Sequence, residues 1–130
     1  MHPSPSSFQT NSLLKFLSLL VVAVFVSPLY AQDAEKRIDM VPMRDGVRLA
    51  TNIYLPEGDG PWPTVLTRTP YNKNGADRSA ARYNEHGYVL VSQDVRGRYE
   101  SEGEDQPFEV DMPDGYDTVE WLAKQDWCSG

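Results

Sequence analysis

The sequence predicts an α/β fold: a mixed sheet with an antiparallel edge and helices on its faces. Three observations carry this. An Asp45-Gly46 pair separates two extended apolar stretches, the signature of a hairpin. Two short apolar runs, Thr64–Thr69 and residues 88–93, lack clean alternation, as strands covered on both faces do. Helix-forming stretches lie between those runs and after them, so the order is strand, helix, strand, helix.

The first segment lies outside this fold. Residues 13–26 are almost entirely apolar, broken by Lys15 and Ser18, and small residues follow at Ser27 and Ala31. The stretch is short for a membrane span, which needs about 20 residues. It reads as a secretory leader cut after Ala31, so the expected location is periplasmic or extracellular. An uncleaved N-terminal membrane anchor is the alternative. Residues 32–130 then form at most one domain.

Along that domain, residues 32–37 are polar and read as a flexible lead-in, and residues 38–43 are extended. Residues 47–55 alternate, with Val47, Leu49, Thr51, Ile53 and Leu55 on one face, the pattern of a half-buried antiparallel strand. Residues 56–63 hold three prolines and form a loop. Thr64–Thr69 is a buried strand stopped by Pro70, and residues 72–77 are a polar loop. A helix runs from about Ala76 to Glu85, ending at His86-Gly87 with glycine as its cap. Residues 88–93 are a second buried strand, parallel to the first through a right-handed crossover. A long loop over residues 94–111 leads to a helix that begins at Pro113 or Asp114, runs to about Lys124, and buries Tyr116, Val119, Trp121 and Leu122.

The chain carries 12 Lys and Arg against 19 Asp and Glu, a net charge of −7. Such a balance argues against nucleic acid and anionic membrane as partners. Cys128 is the only cysteine, so no internal disulfide forms, and beside Trp127 it reads as a small packing residue. No metal-ligand cluster, phosphate loop or dinucleotide fingerprint occurs, so no cofactor is expected.

Four positions are candidates for chemistry. Thr69-Pro70-Tyr71 ends a strand at the sheet edge where α/β proteins bind ligands, and Pro70 fixes φ there. Tyr71 can therefore aim a phenolic O–H over the strand ends, or simply pack beside them. Asp94 and Arg96 end the other buried strand and read as an ion pair shaping the loop, with a catalytic carboxylate as the alternative. Ser101 lacks the glycine frame of a nucleophile elbow and has acidic neighbours, so it reads as structural. His86 precedes its strand, at the opposite edge from Tyr71, and suits a helix C-terminus.

Taken in order, four blocks resemble one family. They are Val41-Pro42-Met43-Arg44-Asp45-Gly46-Val47-Arg48-Leu49; Thr67-Arg68-Thr69-Pro70-Tyr71-Asn72-Lys73; Gly87-Tyr88-Val89 with Gln93-Asp94-Val95-Arg96-Gly97-Arg98 and Ser101-Glu102-Gly103; and Asp114-Gly115-Tyr116-Asp117-Thr118-Val119-Glu120-Trp121-Leu122. Over residues 38–130 this resembles the start of the cocaine-esterase and X-Pro dipeptidyl-peptidase-like serine hydrolases. The resemblance implies the N-terminal part of an α/β-hydrolase fold with a Ser-His-Asp triad. It also implies that Tyr71 donates its hydroxyl to the oxyanion hole, beside the backbone N–H that follows the nucleophile. In that family the nucleophile strand begins within a few residues of the position matching Gly130, and the acid, the histidine and a jelly-roll-like domain come later. The expectation is thus a fragment of an exported hydrolase of small acyl esters, amides or peptides, inactive alone. A non-catalytic exported α/β module is the alternative.

Overall fold

The computed structural model describes residues 35–130. The leader expected over residues 1–31 lies outside them. Strands β1 (Glu35–Pro42) and β2 (Arg48–Leu55) form an antiparallel hairpin, with Glu35 opposite Leu55 and Pro42 opposite Arg48. Gly46 takes φ 88° in the turn, a conformation that costs glycine nothing, and the Met43 N–H donates to the Val47 carbonyl at 2.8 Å. The expected lead-in is strand from Glu35 onward. Glu35, Lys36 and Arg37 are exposed, as suits an edge strand, and their backbone pairing is dictated by β2.

Strands β3 (Thr64–Thr69) and β4 (Val89–Asp94) run parallel, Thr64 opposite Val89 and Thr69 opposite Asp94. They are joined by a short 3-10 turn (Lys73–Ala76), where a plain loop was expected, and by helix α1 (Asp77–Glu85). The sheet order is β1-β2-β4-β3. Strand β2 is therefore central, and residues 49–54 are all buried rather than alternating. Conversely β3, expected to be covered on both faces, is half-buried, because it lies at the sheet edge. Only its start is flanked on that side among the described residues. There the Trp62 N–H donates to Trp127 O at 2.9 Å and the Thr64 N–H to Gly130 O at 2.8 Å.

Two helices cover the two faces. Ala80 of α1 packs on Tyr54 and Leu90. Helix α2 (Asp111–Leu122) packs on the other face, where Leu122 meets Ile53, Val89 and Val91, with Trp62, Trp121, Trp127 and Cys128 around them. Each such side chain stabilises the fold by about 1.5–3 kcal/mol on burial. Cys128 is a packing residue as expected, and its Sγ accepts the Thr64 hydroxyl at 3.3 Å.

Helix α2 starts two residues before Pro113, and its buried stripe is Asp114, Thr118 and Leu122, one residue per turn. Tyr116 and Val119, expected inside, are exposed. Tyr116 instead lies under the Arg44 guanidinium, 5.7 Å from its centroid. The polar residues go inside because the sheet offers partners. Thr118 Oγ1 lies 3.0 Å from Gln93 Oε1, which also accepts from Arg68 Nε at 2.9 Å, and Gln93 Nε2 donates to Thr51 Oγ1 at 3.0 Å. This hydrogen-bonded layer stiffens the end of the sheet where β3 and β4 stop.

Candidate active site

Strands β3 and β4 stop together, and the Val95 N–H donates to Thr69 O at 3.1 Å just past both ends. Pro70 cannot donate to a further rung, so the chain turns away. The Tyr71 N–H donates to Thr69 Oγ1 at 3.0 Å, and Tyr71 is left 81% exposed, two residues past the end of β3. Asn72 follows with φ 85° and ψ 114°, a conformation that costs a non-glycine residue on the order of 1–3 kcal/mol. Its Oδ1 accepts the Asn74 N–H at 2.9 Å and caps the next turn.

Beside Tyr71 opens a cavity of about 240 Å³. It is lined by Pro70 and Tyr71 after β3, by Val95, Arg96 and Arg98 after β4, and by residues 105–108 with Val110 and Asp111 ahead of and at the start of α2. Phe108 has φ 70° and is 89% exposed, so an aromatic ring faces solvent at the rim. Arg98 pairs with Asp105 at 3.2 Å across the loop.

Two buried cations underpin this edge. Arg96 forks onto Asp114, with Nε to Oδ2 at 2.9 Å and Nη2 to Oδ1 at 2.6 Å. It also bonds Asp45 of the hairpin turn, Nη1 to Oδ2 at 2.7 Å. These bonds raise the Arg96 pKa still further, so it is a permanent charge, and they hold the Asp45 carboxyl below its ordinary range. Lys73 is 1% exposed, with its ammonium 3.5 Å from Asp94 Oδ2 and hydrogen-bonded to Glu100. That hydrogen bond holds Glu100 below the usual carboxylate range. Gly97 takes φ 69° between them, and a Cβ there would sit 2.2 Å from the Asp105 amide, so only glycine lets the loop close.

The structure separates residues that the sequence pairs. Asp94 and Arg96 do not bond each other. A turn after β4, closed by the Arg98 N–H on Val95 O at 3.1 Å, swings Arg96 toward α2, while Asp94 stays with Lys73. Ser101 is structural: its hydroxyl donates to Asp94 O at 2.7 Å and accepts the Ala50 N–H at 2.9 Å. His86 caps α1, with Nδ1 2.8 Å from Arg82 O, at the far end of β4 from Tyr71. Lys73, Asp114 and Phe108 were not foreseen. A lysine in a polar stretch and an acid in an amphipathic helix carry no local sign of burial, and positive φ at Phe108 has none either.

An exposed phenol at the end of a parallel strand, beside an open cavity, can donate a hydrogen bond to an anionic oxygen of a bound molecule. Among the described residues, no nucleophile–histidine pair stands beside it.

Residues 45–130 match the model of the X-Pro dipeptidyl-peptidase (S15) family. The chain is 44% identical to the cocaine esterase of Rhodococcus sp. (strain MB1 Bresler) over 97 residues, covering 70% of this chain and 17% of the esterase. An α-amino acid ester hydrolase structure is 41% identical with a TM-score of 0.63, over 74% of this chain and 20% of that one. An aminopeptidase from a marine sediment archaeon (Thaumarchaeota) is 35% identical with a TM-score of 0.61, over 75% and 20%. The chain thus spans about a fifth of the length of these relatives. With its mixed sheet, its helices on both faces and these relatives, the chain belongs to the X-Pro dipeptidyl-peptidase S15 family of serine hydrolases and carries part of the α/β-hydrolase fold.

Proposed function

We propose that the chain is the N-terminal part of an exported serine hydrolase that cleaves small acyl esters or amides through an acyl-enzyme. The observation that carries this is Tyr71, exposed over a cavity at the end of β3 in a chain of this family. A serine outside residues 35–130 attacks the substrate carbonyl, losing its proton to a histidine base, and the carbonyl oxygen becomes an oxyanion. The Tyr71 hydroxyl donates to that oxyanion, together with a backbone N–H. Collapse expels the alcohol or amine, protonated by the histidine, and water then releases the acid by the same steps.

Ser101 and His86 have no part in this chemistry, since both are bonded to backbone elsewhere. Residues 1–130 alone are accordingly inactive, and incubation with p-nitrophenyl acetate should give background hydrolysis only. The decisive experiment is Tyr71→Phe in the full-length hydrolase. Loss of one preorganised oxyanion donor lowers kcat about 10²–10³-fold. The expected result is such a fall with little change in KM or Tm, and unchanged turnover would overturn the assignment.

A further inference from the structure

The turn that carries Tyr71 is held from both sides. On one side its N–H is taken by the Thr69 hydroxyl at 3.0 Å. On the other, the main-chain N–H of Lys73 donates to Asp94 Oδ1 at 2.7 Å. Asp94 is fully buried at the end of β4, opposite Thr69, so it ties the residues after Tyr71 to the strand beside the one before it. The Lys73 side chain then folds back into the same place, 3.5 Å from Asp94 Oδ2 and bonded to Glu100.

A fully buried lysine is rare, because desolvating an ammonium is costly unless it is paired. Packing alone would be met by leucine or methionine. Here the ammonium lies against one oxygen of the buried Asp94 carboxylate while the other oxygen accepts the Lys73 amide, so side chain and main chain of one residue grip the same group. Between the two anchors lies Asn72 with φ 85°. A strained residue of this kind persists only where its surroundings over-determine it. Relaxing it toward negative φ would rotate the Pro70–Lys73 turn and carry the exposed Tyr71 ring away from the strand ends.

We propose that Lys73 and Asp94 form a buried clamp, closed on its outer side by Glu100, that positions Tyr71 by fixing the Asn72 turn. The proposal rests on Tyr71 being the oxyanion donor. Lys73, Asp94 and Glu100 are positioning residues, acting only through the aim of the Tyr71 hydroxyl. Aim matters at this scale, since a donor must lie about 2.7–3.1 Å from the oxyanion.

The test is a double-mutant cycle in the full-length enzyme, with kcat and KM measured separately. Lys73→Met keeps the stem and the main-chain N–H and removes the ammonium. It is expected to lower kcat about 10–100-fold with KM within about twofold, as a misaimed donor does. In the Tyr71→Phe background the same replacement should change kcat less than about twofold, because no hydroxyl is left to aim. An equal fall in both backgrounds, or no fall in either, overturns the clamp while leaving the oxyanion role intact. An unchanged kcat in Tyr71→Phe alone removes the oxyanion reading and the clamp with it. Should Lys73→Met not fold, Glu100→Gln decides, since Glu100 is exposed and its loss spares the core. A kcat fall of about 2–5-fold that vanishes in the Tyr71→Phe background supports the clamp. A fall that persists there, or none, overturns it.

Discussion

Arg96 and Lys73 sit under the same end of β4, and each pairs with one buried and one largely exposed carboxylate. For Arg96 these are Asp114 and Asp45, 2% and 50% exposed; for Lys73 they are Asp94 and Glu100, 0% and 59%. Their bonding differs. The planar guanidinium presents a fork to each partner and joins hairpin, loop and helix α2. The Lys73 ammonium makes a directed bond to Glu100 alone, and Asp94 Oδ2 has no hydrogen-bond partner, only the ion-pair contact. Arg96 is therefore a brace that holds elements together. Lys73 is a local fastening whose weight falls on one turn, the turn that carries Tyr71.

The comparison can be broken most directly at the brace. Arg96→Met leaves Asp114 buried with only Arg68 Nη2 at 3.9 Å, and loss of one partner of a buried pair costs about 3–5 kcal/mol. Urea unfolding of the full-length protein should register it, with much smaller losses for Glu100→Gln. A similar loss for both variants would erase the distinction. Next in size is Gly97→Ala, where the new Cβ meets the Asp105 backbone at a φ of 69°. The expected cost exceeds about 1 kcal/mol, read as a fall in Tm.

Acid sharpens the contrast further. Asp45 and Glu100 are held below their ordinary values of 3.8 and 4.5, each chiefly by a hydrogen bond from its cation. A carboxyl depressed in this way stabilises the fold above its unfolded pKa, and that contribution is lost as pH falls through the folded one. Tm should thus drop on acidification below the ordinary values. Glu100→Gln should flatten only its own share of that drop, seen in Tm against pH. The smallest effect belongs to the cavity rim. Phe108→Asn suits the positive φ and should shift stability by no more than about 0.5 kcal/mol. Within the proposed function it should raise KM for aromatic esters, measured against acetate esters.

What the sequence discloses follows from where each signal resides. The Asp45-Gly46 turn, the limits of β3 at Thr64 and Thr69, and the end of α1 before Gly87 are local steric facts, and all three appear where expected. Burial of both faces of β2 is not legible, because Asn52 and Tyr54 alternate with the apolar face as solvent-facing residues do. They are inside because partners distant in sequence meet them there, Asn74 accepting from Asn52 Nδ2 at 2.9 Å and Asp77 from the Tyr54 hydroxyl. The same holds for Asp114 and Thr118, which displaced Tyr116 and Val119 from the inner face of α2. Of the candidate site, the position of Tyr71 was legible from Pro70 and the strand before it. The clamp was not, since nothing near Lys73 in the chain indicates that Asp94 will lie beneath it.

All three tryptophans of the chain, Trp62, Trp121 and Trp127, pack on the cluster that Leu122 of helix α2 joins, and Trp121 also touches the neighbouring one of Val41, Met43 and Leu49. Indole emission from this segment is consequently a reporter of the side of the sheet that α2 covers. It follows the docking of α2 and of residues 127–130 on the sheet, and no indole lies at the Tyr71 edge. An unfolding curve followed by indole emission would register the Arg96 brace, whereas the tyrosine turn calls for a label or a fluorinated tyrosine of its own. The two cations can in this way be watched through separate optical channels.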